Sequence, residues 1–110
     1  MKVRRIPVQR IIAAMVRRIV KRFNPDQIIL FGSHARGSAV AGSDVDLLVV
    51  FPEAPDKRRL TVEIRRALGD LLMSKDIVVT TPEEISRRGD LVGSVLRPAL
   101  REGRVLYERQ

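Results

Sequence analysis

The stretch that most restricts the possible folds is residues 27–51, QIILFGSHARGSAVAGSDVDLLVVF, where two apolar runs flank a loop of small residues. Runs of this length, bounded by turn formers, read as buried strands rather than helices. Ahead of them, Val8, Ile11, Ile12, Met15, Ile19 and Phe23 recur at helical spacing, with Arg10, Arg17, Arg18, Lys21 and Arg22 mainly on the rest of the wheel. That is an amphipathic helix, which NPDQ closes. Beyond them, Asp56 to Leu72 places Leu60, Ile64, Ala67, Leu68 and Leu71 on one helical stripe, and DIVVT is a third strand. In TPEEISRRG, Thr81 caps a helix and Pro82 takes its first position. The remainder suggests a helix broken around Pro98, a stop at Gly103 and a terminal extended piece. The order is helix, strand, short helix, strand, helix, strand, helix, which describes one α/β layer structure with no linker or repeat. At 110 residues the chain supplies one hydrophobic core and not two.

Composition removes several classes of function. With no cysteine, neither a disulfide framework nor a thiolate zinc site is available. Lys and Arg number 21 against 13 Asp and Glu, a net charge of +8 that would attract nucleotides, RNA or an acidic protein partner. An arginine-rich proteome with solvated surface charge explains the same excess, and the basic face of the first helix carries both readings. Aromatic residues are 4% of the chain, too few for the stacking platforms of single-strand RNA binders, so nucleic acid is not expected as a direct primary ligand. MKVRRIPVQR lacks the apolar region of a signal peptide, and no segment reaches the length of a membrane span. A cytoplasmic protein is expected.

The chemistry concentrates in the loop and its flanks. Side chains two apart in a strand share a side, so Asp44 and Asp46 are expected to project together while Val45 and Leu47 face the other way. With α-carbons roughly 7 Å apart, two such carboxylates repel by about 2 kcal/mol at an effective dielectric near 20. A cation between them offsets that cost, and hard divalent ions take carboxylate ligands. Asp76 opens the third strand; if that strand pairs beside the second, the three acids converge on one rim. Carboxylates without cysteine, and with a single histidine, favour Mg²⁺ or Mn²⁺ over zinc. Gly32 and Ser33 open a short helix whose first amides suit phosphate, and Arg36 lies one turn on. A phosphate cradle beside an acidic metal site belongs to nucleotidyl transfer. Each residue has a plainer explanation: Asp44 and Asp76 as turn residues, Gly32 as a turn glycine, Ser33 as a cap, Arg36 as a solvated arginine. Asp46, inside the apolar run, is the hardest to explain that way. His34 reads as a surface residue and Tyr107 as a packing residue.

GSHARGSAVAGSDVD resembles the motif of the polymerase-β-type nucleotidyltransferase superfamily: Gly-Ser, a ten-residue spacer at 34–43, then Asp-x-Asp between hydrophobic residues. In so short a chain the likeness is to the minimal nucleotidyltransferases, the MNT antitoxins encoded beside HEPN-domain toxins; KDIVVTTPEEI and ALREGRVLYER also resemble that family's later segments. The resemblance implies a single small nucleotidyltransferase domain over residues 1–110, a short mixed β-sheet packed with helices. It implies that Gly32 and Ser33 hold the β- and γ-phosphates of ATP. By the same resemblance Asp44 and Asp46 bind two Mg²⁺ ions, and Asp76 completes the site near the attacking hydroxyl. The implied activity is transfer of AMP to a hydroxyl with release of pyrophosphate, the acceptor being a tyrosine of the HEPN ribonuclease. Enzymes that modify small molecules or RNA usually carry extra domains to grip base and acceptor, for which this chain has no room, so a hetero-oligomer is expected. The competing class is a binding protein, an antitoxin with an idle nucleotide site.

Overall fold

The computed structural model describes residues 6–91, 93–94 and 96–110. Helix α1 (Val8–Phe23) opens the fold and buries Ile12, Met15 and Ile19. Asn24 ends it in the left-handed conformation at φ 51°, its amide bonded to the Val20 carbonyl. Strand β1 (Gln27–Phe31), short helix α2 (Ser33–Arg36) and strand β2 (Val45–Val50) follow. Helix α3 (Lys57–Ala67) starts at the Asp56 carboxylate, which accepts the Arg59 amide at 3.0 Å. It ends at Ala67, short of the Leu72 that periodicity suggested, because the chain turns at residues 68–74 to reach strand β3 (Lys75–Thr80). Helix α4 (Pro82–Arg88) has the expected Thr81 cap and Pro82 at its start.

The expected break at Pro98 is absent. Helix α5 (Leu96–Glu102) runs through it, with Pro98 in the first turn, where the missing N–H costs no helical bond. Val92 and Val95, which the sequence placed ahead of that break, lie outside the described residues. The terminal extended piece is strand β4 (Arg104–Glu108).

The sheet order is β3-β2-β1-β4, with β2 antiparallel to β1, β1 antiparallel to β4, and β2 parallel to β3. The sheet is therefore mixed, as expected. Strand alternation sorts the side chains onto two faces. Ile28, Leu30, Val45, Leu47, Val49, Ile77 and Val79 pack against Ile12, Met15 and Ile19 of α1 and Ile64 of α3. Ile29, Phe31, Leu48 and Val50 pack against Leu96 and Ala99 of α5. Each such fully buried Leu or Ile contributes roughly 1.5–3 kcal/mol over its exposed state. Tyr107 packs against the first of these clusters, in line with its reading as a packing residue. Buried Thr80 donates to Glu84 at 2.6 Å, and Glu84 accepts Lys57 at 2.6 Å, tying β3 and α4 to the start of α3.

Candidate active site

The parallel pairing of β2 with β3 puts Asp46 directly opposite Asp76. Asp46 shares its side of the strand with Leu48 and Val50, so both acids continue the α5-facing surface of the sheet to its rim. The antiparallel pairing of β1 sets Phe31 opposite Asp46, which brings the next residue, Gly32, against the Asp46 side chain. Gly32 has φ 74° and ψ −157°, a region open in practice to glycine alone. A Cβ built there would lie 3.1 Å from Asp46 Cγ and overlap Oδ2. Conformation and closeness thus impose the same residue.

Helix α2 begins at that turn. The amides of Ala35 and Arg36 both return to the Gly32 carbonyl at 3.1 Å, while those of Ser33 and His34 have no backbone acceptor among the described residues. Gly37, in the left-handed conformation at φ 76°, closes the helix. The following loop is held by the Val40 amide donating to Ser43 Oγ at 2.9 Å, and by a 3.3 Å contact between His34 Nε2 and the Ser43 carbonyl.

Electrostatics mark the same place. Burial raises the Asp46 pKa above its ordinary value; the Asp76 and then the Asp44 charges raise it further, while His34 and Arg36 oppose the shift. The charges of Asp76 and Asp44 therefore both reach Asp46 at this rim.

The remaining sequence-predicted residues each engage a partner within the chain. Asp44 sits one residue before β2 and is exposed, its carboxylate accepting the Ser74 hydroxyl. Asp76 pairs with Arg65 Nη2 of α3 at 3.0 Å. Arg36 pairs with Glu102 at 3.3 Å. Among the described residues no three acidic or histidine side chains stand close enough to hold a metal ion in this arrangement. The donor set still suits a hard divalent cation: it is all carboxylate at the rim, and among the described residues Asp76 with Arg65 is the one ion pair that these three acids make. Sequence reasoning missed Arg65 and Ser74, because each reaches its acid only through the turn between α3 and β3.

The sequence profile of the nucleotidyltransferase domain family matches residues 13–106. The protein adenylyltransferase MntA of Thermococcus cleftensis is 33% identical over 91 residues, covering 82% of this chain and 87% of that one. A Methanocaldococcus jannaschii protein, provisionally named a protein adenylyltransferase, is 44% identical over 55 residues; the match spans 48% of this chain and only 35% of that protein. A solved toxin–antitoxin structure with AMP-PNP shares the fold, with a TM-score of 0.57 at 20% identity over 94% of this chain and 76% of that one. Among the described residues no helix is long and apolar enough to cross a membrane. A profile running almost the length of the fold, and 33% identity to MntA over 82% of this chain, place this chain in the nucleotidyltransferase domain family.

Proposed function

We propose that this protein is a cytoplasmic Mg²⁺-dependent antitoxin that transfers AMP from ATP to a tyrosine hydroxyl of a HEPN ribonuclease toxin, with which it forms a hetero-oligomer. The observation that carries the reading is Asp46, directly opposite Asp76 across the β2–β3 pairing and packed against a glycine-only turn at the end of β1. MntA, a protein adenylyltransferase by name, supports the reaction class, and the AMP-PNP bound in a toxin–antitoxin relative of the same fold supports ATP and a toxin partner.

In this reading Asp44, Asp46 and Asp76 hold the Mg²⁺ ions, with Mn²⁺ able to substitute. When bound, such ions neutralise charge on the triphosphate and on the transferring phosphoryl group. Gly32 lets the chain approach the β- and γ-phosphates, and Ser33 adds its amide and hydroxyl as donors. Arg36 leaves Glu102 to meet a phosphate oxygen. Asp76 leaves Arg65 and takes the proton of the acceptor hydroxyl. The acceptor oxygen bonds to the α-phosphorus, the bond from that phosphorus to the β-phosphate bridge breaks, and pyrophosphate departs.

The test is incubation with ATP labelled at the α-phosphate, Mg²⁺ and the HEPN protein. Label should appear on the partner and disappear in Asp44→Asn and Asp46→Asn. A stable complex that never acquires label instead assigns the chain to the idle-site antitoxins, a reading favoured by the engagement of Asp44 with Ser74 and Asp76 with Arg65.

A further inference from the structure

A groove of about 390 Å³ lies on the other face of the sheet, between α1 and the β1–β4 half. Its floor is apolar, with Ile12 and Val16 of α1 facing Leu30 and Leu106, and Arg17 and Arg104 line it with no acidic residue among the described residues. Helix α1 carries five basic residues and no acid. Only Arg18 among them makes an ion pair, with Asp70, among the described residues. Arg17 with Lys21, and Arg18 with Arg22, stand at the i,i+4 spacing where like charges repel. An apolar slot bordered by uncompensated cations fits a ligand that brings both hydrocarbon and carboxylates.

We infer that this groove docks an acidic amphipathic helix of a partner protein, with apolar residues on the Val16–Leu30–Leu106 floor and carboxylates against Arg17 and Arg104. Other occupants fit less well. Among the described residues no Phe, Tyr or Trp lines the groove, and the single His34 ring is no platform for successive RNA bases. A second copy would bring its own basic α1 against this one in an isologous pair. The apolar stripe of α1 is already buried in the core, so the helix cannot lie in a bilayer surface. The segment ahead of α1, MKVRR, adds only positive charge. His34 lines the groove and neighbours Ser33, so a docked helix lies next to the candidate active site.

The test titrates the protein into a fluorescein-labelled helical peptide with leucines at helical spacing and glutamates elsewhere, read by anisotropy. Saturable binding is expected, weaker by about tenfold or more in the Arg17→Glu/Arg104→Glu double variant and weakening with added salt. Circular dichroism establishes that the variant folds, and Val16→Asp, which puts charge on the floor, provides a second independent loss. Asp46→Asn should bind the peptide as the parent does, so failure of the catalytic reading and failure of this one are distinguishable. The inference is overturned if the double variant binds unchanged or a serine-for-leucine peptide binds equally well. It is overturned too if a single-stranded RNA, and not the peptide, protects Arg17 and Arg104, or if the groove is closed by self-association in sedimentation.

Discussion

Replacing Gly32 with alanine tests the geometry on which the site depends. The residue sits at φ 74° and ψ −157°, so any side chain incurs a backbone cost of about 1–3 kcal/mol. The new Cβ also overlaps the Asp46 carboxylate, which must rotate away from its present position at a further cost of roughly 0.5–1.5 kcal/mol. The two together predict a loss of about 1.5–4.5 kcal/mol, a large part of the 5–15 kcal/mol that holds a typical domain folded. At roughly 4 °C per kcal/mol for a domain of about this size, the melting midpoint should fall by about 6–18 °C. Urea unfolding of the parent, Gly32→Ala, Asp46→Ala and the double variant separates the two contributions. The overlap with Asp46 should vanish in the Asp46→Ala background, while at least about 1 kcal/mol of backbone strain persists there. A Gly32→Ala loss below about 0.5 kcal/mol, or one that disappears entirely once Asp46 is gone, would refute the reasoning.

Other perturbations follow from the same contacts. The folded protein binds the Asp46 proton more tightly than the unfolded chain, so ionisation of this carboxyl opposes folding: the penalty is absent below the ordinary carboxyl pKa and complete above the raised one. Asp46→Asn without divalent ions should accordingly be more stable than the parent at pH 7, the difference closing as acid unfolding midpoints are followed downward; a less stable variant at pH 7 contradicts this. Arg65→Ala frees Asp76 and should tighten Mg²⁺ binding in calorimetry, whereas unchanged affinity would show that the Arg65 contact does not compete with the ion. Thr81→Ala removes the cap that accepts the Glu84 amide and should cost about 1 kcal/mol in urea unfolding, with no change in the Mg²⁺ isotherm.

The sequence by itself determined the elements: helical periodicity placed α1, apolar runs placed β1, β2 and β3, and Thr81 with Pro82 marked the start of α4. These signals are local, fixed by side-chain spacing and by caps within one turn. It also singled out Gly32 and Asp46, because a glycine after a strand and an acid inside an apolar run are locally anomalous. Only tertiary structure decided that β3 lies parallel beside β2, which sets Asp46 directly opposite Asp76. It also decided that Asp44 answers to Ser74, Asp76 to Arg65 and Arg36 to Glu102, and that the closing strand pairs with β1 to wall the groove beside α1. Strand order and long-range ion pairs depend on how layers pack, and neither composition nor periodicity encodes which edge a strand joins.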